Sequence, residues 1–263
     1  MKIENRTFVV SGGASGLGEA TVRMLHANGG FVSILDMNAE LGNKIANELS
    51  PRVVFFKCDV TDTDSIAQAV KGTMEWVGKT GKELGGCVPA AGVGFPGKII
   101  DSRSGEPIPI SSVDLVLKIN LRGTIDLMRQ VSAHLIKVTP TAPDGERGVF
   151  VMVASSAAYD GQPGQMAYSA SKGAVVAMTL PIARDLARYG IRVVTIAPSL
   201  FKSAMTAYLS EKALKSLERV MEWPVRPGNP DEFARTVKDS IENVMLNGTV
   251  IRLDGAMRMP SKM

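Results

Sequence analysis

The sequence predicts an α/β fold in which one doubly wound parallel sheet of about seven strands carries helices on both faces. Short apolar runs alternate along the chain with longer amphipathic stretches, the pattern of strands that alternate with helices. The runs are almost continuously apolar, which is typical of strands buried on both faces. The chain has no internal repeat, low-complexity tract or linker, so residues 1–263 are expected to form a single domain.

The predicted strands are short, and most are followed by a polar or glycine-rich group. They cover residues 7–10, 31–35, 53–56, 87–88, 149–153, 192–196 and 249–253. Apolar residues at helical spacing predict a helix after each of the first three strands and long helices over 112–137 and 165–189. A further helix is expected to begin at Asn229-Pro230, a capping residue followed by proline.

Two stretches lack such periodicity and are predicted to shape a substrate pocket. Residues 94–109 are broken by glycines and prolines, which indicates a loop. Residues 199–228 are irregular with some helical character, and we expect them to form a mobile flap.

Composition argues against several classes of function. The net charge of +4 includes no dense block of Lys and Arg, so no nucleic-acid partner is expected. Two cysteines without CxxC spacing and two histidines predict no metal centre. No apolar stretch is long enough for a membrane span, and the residues before the first strand leave no room for a signal peptide. We therefore expect a soluble intracellular protein.

The C-terminal tripeptide indicates a more specific location. Ser261-Lys262-Met263 resembles the Ser-Lys-Leu peroxisomal address with Met in the last place. Peroxisomal import in a eukaryotic host is one expectation, and a cytoplasmic or mitochondrial location is the alternative.

The polar features after the predicted strands should converge on one edge of the sheet. They are the glycine-rich residues 11–18, Asp36, Asp59, Ala91-Gly92, Ser155 and Pro198. In open parallel sheets, ligands bind beyond the carboxyl ends of the strands. The sequence therefore predicts one composite ligand site.

The loop after the first strand carries glycines at 12, 16 and 18. Glycine there permits a tight turn and a close approach of the backbone to a pyrophosphate at the N-terminus of the next helix. An ordinary turn is the alternative, but the position between the first strand and the first helix favours a dinucleotide site and a Rossmann-type sheet.

Asp36 indicates which dinucleotide is bound. A carboxylate at the end of the second strand can accept both hydroxyls of an adenosine ribose and would repel a 2′-phosphate. Neither Met37 nor the glycine loop supplies a cation for that phosphate, so NAD is predicted rather than NADP. Asp36 could instead cap a helix, a role that Asn38 could share. Asp59 could likewise hold the adenine amino group or act as a cap.

Tyr168 and Lys172 form the predicted acid/base device. Four residues apart on a helix, they share one face. A neighbouring ammonium favours the phenolate and so lowers the pKa of a tyrosine. Ser155, at the end of the fifth strand, would supply a hydroxyl to the reacting oxygen. A single Tyr-x-x-x-Lys match would be weak without the rest of the chain.

Together these motifs resemble the short-chain dehydrogenase/reductase family over essentially the whole chain. The matches are Gly12-x-x-x-Gly16-x-Gly18, Asp59-Val60, Ala91-Gly92, Asn120 and Ser155 with Tyr168-x-x-x-Lys172. The resemblance implies an NAD-dependent oxidoreductase that interconverts a secondary alcohol and a ketone. Within the family, the chain resembles members that act on 3-hydroxyacyl-CoA, and this resemblance implies a substrate of β-oxidation. The stretches that carry it are residues 161–165, 167–173, 178–187, 190–193, 195–198 and 247–256.

The resemblance also implies residue roles. Tyr168 would be the general acid/base, Lys172 would lower its pKa and bind the nicotinamide ribose, Ser155 would steady the substrate oxygen, and Asn120 would hold a proton-relay water. Substrate contacts are expected from Ser155, Tyr168, Gln162 and Gln165. A homotetramer built partly on the helices over 112–137 and 165–189 is implied as well. The implied NAD contacts are Ser11, Gly12, Ser15, Gly16, Leu17, Gly18, Asp36, Met37, Asp59, Val60, Ala91, Gly92, Tyr168, Lys172, Pro198, Leu200 and Ser203.

Several positions depart from the family pattern. Ser11 stands where Thr is usual, and Pro89-Ala90 stand where two asparagines are common. Ser199 replaces a usual Gly, and Ser203 replaces a Thr that would contact the nicotinamide amide. None belongs to the catalytic set, but they concern the shape of the nicotinamide and substrate pocket. Two alternatives therefore stay open: a steroid or secondary-metabolite ketone reductase, and a cofactor-bound scaffold or sensor that does not use its chemistry.

Overall fold

The structure is a computed structural model that describes residues 1–202, 217 and 220–259. Its seven strands are β1 (Thr7–Ser11), β2 (Phe31–Asp36), β3 (Val53–Lys57), β4 (Leu84–Pro89), β5 (Gly148–Val153), β6 (Ile191–Pro198) and β7 (Thr249–Leu253). They form one sheet in the order β3-β2-β1-β4-β5-β6-β7, and every neighbouring pair is parallel. The predicted fold class is confirmed.

The helices lie between the strands in the chain. They are α1 (Gly16–Ala27), α2 (Ala39–Glu48), α3 (Thr63–Thr80), α4 (Ile110–Leu117), α5 (Thr124–Leu135), α6 (Met166–Ala187) and α7 (Pro230–Glu242). A π-helical turn, Lys118–Gly123, joins α4 to α5, and a 3₁₀ turn, Ser156–Ala158, follows β5.

Apolar cores cover both faces of the sheet. In β1, Phe8 and Val10 belong to the core beneath α1, α2 and α7, whereas Val9 belongs to the core beneath α3, α5 and α6. Successive side chains of a strand point to opposite faces, so a strand buried on both sides is apolar at most of its positions. This is why the strands could be recognised as continuous apolar runs.

The predicted start of the last helix is confirmed. Helix α7 begins at Pro230, and the Glu232 carboxylate accepts a hydrogen bond from the Asn229 backbone N–H at 2.7 Å. This contact satisfies one of the backbone donors that a helix leaves unpaired at its N-terminus.

The single helix predicted over 112–137 is wrong in detail. The chain forms α4, then the π-helical turn, then α5, and α4 begins at Ile110 rather than at residue 112. A π turn adds one residue to a helical turn and is frequent at functional sites. Because this turn lies between two helices, it hardly changes the spacing of the apolar residues in the sequence. Asn120 lies within this turn.

The predicted loop over 94–109 is anchored at two places. Ile100 and Pro107 form an isolated antiparallel bridge, and the Gly97 N–H donates to the Gly164 carbonyl at 2.8 Å. The second bond ties this loop to the segment that precedes α6. Of the flap predicted over 199–228, residues 203–216, 218 and 219 lie outside the described residues.

None of the helices in the described part of the chain is both long and apolar enough to cross a membrane.

Candidate active site

The four residues predicted to be catalytic lie together beyond the carboxyl end of β5. Ser155 lies two residues beyond the end of that strand, Tyr168 and Lys172 lie in the first two turns of α6, and Asn120 lies in the π turn. The Lys172 Nζ atom is 5.8 Å from the centroid of the Tyr168 ring. A Cβ atom placed on Gly92 would lie 3.3 Å from Asn120 Oδ1 and 3.5 Å from Lys172 Nζ. Gly92 therefore keeps open the space that Asn120 and Lys172 share.

Ser155 and Tyr168 form the polar centre of this group. The Ser155 hydroxyl accepts the Ala157 N–H at 3.2 Å, which fixes the turn after β5. Burial raises the pKa of Tyr168, while a hydrogen bond with Ser155 acts to lower it. The phenol therefore carries its proton at neutral pH, and the direction is opposite to the lowering of the Tyr168 pKa predicted from Lys172. Ser156, the neighbouring serine, has a buried hydroxyl with no hydrogen-bond partner among the described residues.

Lys172 is a buried cation. Its ammonium donates to the Val153 carbonyl at 2.8 Å, and the residue is only 6% exposed. Burial lowers the pKa of Lys172 from 10.5 to about 8, because desolvation disfavours the charged form. The side chain is therefore charged at neutral pH at an energetic cost to the fold.

This buried charge predicts a pH-dependent difference in stability. The pKa of Lys172 is lower in the folded chain than in the unfolded one, so the unfolded chain binds more protons between pH 8 and 10.5. The contribution of Lys172 to the free energy of unfolding should therefore rise with pH across that window. Relative to Lys172→Met, the wild type should gain about 2 kcal/mol between pH 7.5 and 10, as measured by urea unfolding.

The exposed Lys79 on α3 offers the matched control. The difference from wild type should change more with pH in Lys172→Met than in Lys79→Met. An equal change in the two variants would show that Lys172 is not a desolvated ammonium.

Asn120 fastens the loop after β4 to α6. Its Oδ1 accepts the Val93 N–H at 2.8 Å, and its Nδ2 donates to the Val93 carbonyl at 2.9 Å and to the Ser171 hydroxyl at 3.1 Å. Asn120 is buried. A mid-helix asparagine usually faces solvent, so only the family resemblance singled it out.

Ser171 was missed by the sequence reasoning. Its buried hydroxyl donates to the Tyr168 carbonyl at 2.7 Å and accepts from Asn120. It thereby joins the π turn to the turn of α6 that carries Tyr168 and Lys172. Its position between those residues, within Tyr-x-x-x-Lys, was the available signal.

The glycine loop packs too tightly for side chains. Gly12 has φ +65° and Gly16 has φ +53°, values that glycine tolerates without strain. A Cβ on Gly12 would lie 2.8 Å from the Ala91 backbone, and one on Gly18 would lie 2.0 Å from the Gly12 carbonyl oxygen. The Ser11 hydroxyl accepts the Ala91 N–H at 3.3 Å, so the loop is held against the segment after β4.

Two other residues of the glycine loop, Ser15 and Leu17, differ in how deeply they are buried. Ser15 is exposed and occupies the N-cap position of α1 without a capping hydrogen bond from its side chain. Leu17 is half-buried and packs against the core beneath α1, α2 and α7. Sequence reasoning had placed both in the cofactor site.

Asp36 lies at the end of β2 and faces the glycine loop. Its carboxylate accepts the Ala14 N–H at 3.1 Å and the Asn38 N–H at 2.9 Å. Helix α2 is capped by Asn38, whose side chain accepts the Leu41 N–H at 3.0 Å. Asp36 is therefore not the cap of α2, and its half-buried carboxylate lies where β2 meets the loop. Met37 beside it is 60% exposed.

Asp59 and Val60 follow β3. The Asp59 carboxylate accepts the Thr61 N–H at 2.8 Å, which closes a local turn. Asp62, rather than Asp59, caps α3. Val60 is buried, and its carbonyl oxygen would lie 2.7 Å from a Cβ on Gly123, so this segment packs against the π turn.

The remaining predicted cofactor residues lie at the ends of β4 and β6. Ala91 and Gly92 follow β4, Pro198 ends β6, and Leu200 is buried beyond it. Ser203 lies outside the described residues. Apart from Ser203, each predicted cofactor residue lies at or beyond the carboxyl edge of the sheet.

Gln162 and Gln165 shape the segment before α6. The Gln165 side-chain oxygen accepts the Gln162 N–H at 3.1 Å, and the Gln165 N–H donates to the Gln162 carbonyl at 3.0 Å. Gln162 is buried. The Gln165 amide therefore closes the turn before α6.

Within residues 1–202 and 220–259, no group of three or more His, Cys, Asp or Glu side chains could hold a metal ion.

Fold and site together define the class of protein. One edge of the parallel sheet carries three features: the glycine loop after β1, a carboxylate at the end of β2, and the group formed by Ser155, Tyr168 and Lys172. A family model described as short chain dehydrogenase matches residues 6–214, and the chain belongs to that family. It is thus an oxidoreductase of the short-chain dehydrogenase/reductase type.

Individual proteins are similar to this chain over almost its whole length. The chain is 43% identical to 3-hydroxyacyl-CoA dehydrogenase type-2 of Drosophila melanogaster, covering 98% of this chain and 99% of that protein. The crystal structure of 3-hydroxyacyl-CoA dehydrogenase type-2 from Mycobacterium avium matches with a TM-score of 0.90 and 40% identity, covering 98% of this chain and 97% of that one. Ipsdienol dehydrogenase of Ips pini is 30% identical, covering 98% and 99%.

Proposed function

We propose that the protein is an NAD-dependent dehydrogenase that interconverts 3-hydroxyacyl-CoA and 3-ketoacyl-CoA. The observation that carries the proposal is the grouping of Ser155, Tyr168 and Lys172 beside the open space at Gly92. The similarity over almost the whole chain to 3-hydroxyacyl-CoA dehydrogenases type-2 supports the substrate class.

The residues present fit a dinucleotide of the NAD(P) type, which the family uses. The packed glycine loop brings backbone to the N-terminus of α1, where a pyrophosphate is favoured. Asp36 presents a carboxylate at the end of β2, suited to ribose hydroxyls, and Gly92 leaves room beside Lys172. Bound there, NAD would accept the hydride from the alcohol carbon, and NADH would return it to the ketone.

The side chains would handle the proton. In ketone reduction, the Tyr168 phenol would donate its proton to the developing alkoxide oxygen, and in alcohol oxidation the phenolate would remove it. The Ser155 hydroxyl would hold that oxygen next to Tyr168. The Lys172 ammonium would stabilise the phenolate and bond to the nicotinamide ribose. Asn120 would hold a proton-relay water, while its amide bonds to Val93 and Ser171 keep the π turn in place.

The charge of Asp36 should set the choice of cofactor. Asp36→Asn keeps an oxygen that can accept the Ala14 N–H but removes the charge that repels a 2′-phosphate. The preference for NADH over NADPH, measured as a ratio of kcat/KM values, should fall by about one to two orders of magnitude. Asp62→Asn, at the cap of α3, should leave the ratio unchanged. An undiminished preference in Asp36→Asn would refute this role.

The substrate class is tested by a panel of ketones. Acetoacetyl-CoA, a steroid ketone and the ketone of ipsdienol would each be mixed with purified protein and NADH, and NADH loss followed. We expect the highest kcat/KM for acetoacetyl-CoA. A higher value for either other ketone would favour the rival reductase, which the similarity to ipsdienol dehydrogenase supports. Absence of turnover with every ketone would favour a scaffold or sensor.

We further propose one domain, a homotetramer and a peroxisomal location. Leu115 and Ile125 are exposed apolar residues on α4 and α5, and burial against a second subunit would remove them from water. A monomeric mass in solution would refute the assembly.

The proposed peroxisomal location rests on the tripeptide Ser261-Lys262-Met263, which lies outside the described residues. Cytosolic retention in a eukaryotic cell of a fusion ending in that tripeptide would refute it.

A further inference from the structure

A cluster of charged residues joins separate segments just outside the candidate site. Arg252 in β7 donates through Nε to the Asp254 carboxylate at 2.7 Å and through Nη2 to the Asp160 carboxylate. Its guanidinium also lies over the Tyr159 ring, 4.8 Å from the centroid. The Arg252 side chain is 24% exposed and that of Asp254 only 9%. None of these residues belongs to the acid/base group described above.

Asp160 is the far end of the turn that begins at Ser155. The Ala158 N–H donates to the Ser155 carbonyl at 3.0 Å, and the Asp160 N–H donates to the Ser156 carbonyl at 2.9 Å. The Ala157 N–H bonds to the Ser155 hydroxyl itself. A displacement of Asp160 would thus pass through a short hydrogen-bonded turn to the Ser155 hydroxyl.

Arg252 also contacts the segment that packs behind Leu200. Arg252 pairs with Ala197 in the sheet, and its Nη2 lies 3.4 Å from the Met257 carbonyl. The Met257 sulfur accepts the Ser199 hydroxyl at 2.8 Å, and Met257 packs against Leu200. One guanidinium therefore ties the Ser155 turn to the stretch after β6.

The side-chain type matters here. An arginine fork can bond two carboxylates in fixed directions and stack on a ring at the same time, which a lysine ammonium cannot do. Without the guanidinium, Asp160 and Asp254 would be left as like charges with no shared cation. The turn after Ser155 would then lose its outer anchor.

We propose that Arg252 is a positioning residue that sets the place of the Ser155 hydroxyl by anchoring the turn Ser155–Asp160 to β7 and the Met257 segment. The proposal rests on the proposed function, in which Ser155 holds the substrate oxygen.

The first test compares Arg252→Met and Arg252→Lys with wild type in acetoacetyl-CoA reduction. Misplacement of a group by about 1 Å can reduce the rate a hundredfold, so we expect kcat to fall ten- to a hundredfold in both variants. NADH affinity, measured by fluorescence titration, should stay within threefold. Arg23→Met is the matched control, because Arg23 also joins two carboxylates, Glu19 and Glu48, on the protein surface. Its kcat should be unchanged. A kcat within twofold of wild type in Arg252→Met would overturn the proposal.

A double-mutant cycle tests whether Arg252 acts on Ser155 through Asp160. Asp160→Asn should lower kcat to a similar degree, and the double variant Asp160→Asn with Arg252→Met should be no slower than the slower single variant. Effects that multiply would show that Arg252 does not act through Asp160.

Hydrogen exchange provides a readout that does not need turnover. In Arg252→Met, the amides of residues 157–160 should exchange at least tenfold faster than in wild type and in Arg23→Met. This result would support the anchor even if no ketone in the panel is reduced, in which case only the proposed function fails. Unchanged exchange at these amides would overturn the anchor itself.

Discussion

Tyr168→Phe is expected to lower turnover by about 10²- to 10⁴-fold, the usual contribution of a general acid/base. The change removes only the hydroxyl, so the ring still fills its place between Ser155 and Lys172. Because burial raises the pKa of Tyr168, the group lost is a protonated phenol at neutral pH. NADH affinity should remain within about twofold of wild type, because all the other predicted cofactor contacts are unchanged. Steady-state kinetics and fluorescence titration measure the two quantities.

Tyr189→Phe is the control for this variant. Tyr189 lies just beyond the C-terminal end of α6, and its hydroxyl bonds to Arg188 rather than to the site. Turnover in Tyr189→Phe should match wild type. Turnover retained within tenfold in Tyr168→Phe would assign the acid/base role to another group.

Arg192→Met is expected to give a large loss of stability. Arg192 lies in β6 with its side chain only 8% exposed, and Nε bonds to the Glu146 carboxylate at 2.8 Å. Its Nη1 and Nη2 atoms donate to four backbone carbonyls in and after α7, those of Ser240, Ile241, Asn243 and Leu246. Arginine thus satisfies carbonyls that the end of a helix leaves unpaired.

Removing that cation leaves the Glu146 carboxylate buried with one cation fewer, because within the described part of the chain only the Met1 amino group still bonds to it, at 2.6 Å. Breaking a buried pair in this way costs about 3–5 kcal/mol. The free energy of unfolding should fall by that amount and Tm by roughly 10 °C. Arg23→Met, which breaks exposed pairs, should cost at most about 1 kcal/mol. A loss below about 1 kcal/mol in Arg192→Met would contradict the structure around Glu146.

The features predictable from sequence were those that depend on local pattern. Strands buried on both faces are mostly apolar, as in Phe8–Val10 of β1 and Gly148–Val153 of β5, so their existence and order were readable. The glycine loop was readable because its tight packing against Ala91 accepts no side chain. Tyr168 and Lys172 were readable because helical spacing places them on one face.

The features that could not be predicted depend on contacts between distant residues. The π turn at Asn120 adds a residue between two amphipathic helices and leaves their apolar spacing nearly intact. The role of Arg192 could not be predicted, because its hydrogen-bond partners lie about fifty residues away in the sequence on both sides. Whether Asp36 or Asn38 caps α2 was undecidable, since both residue types can do so, and the structure assigns the cap to Asn38.

Reduction of acetoacetyl-CoA with NADH tests the proposed function most directly. Loss of NADH absorbance would be followed for the wild-type protein with acetoacetyl-CoA, and separately with NADPH in place of NADH. We expect turnover that needs the ketone and is much faster with NADH. No loss of absorbance with either cofactor would contradict the assignment of 3-ketoacyl-CoA as substrate, and faster turnover with NADPH would contradict the role given to Asp36.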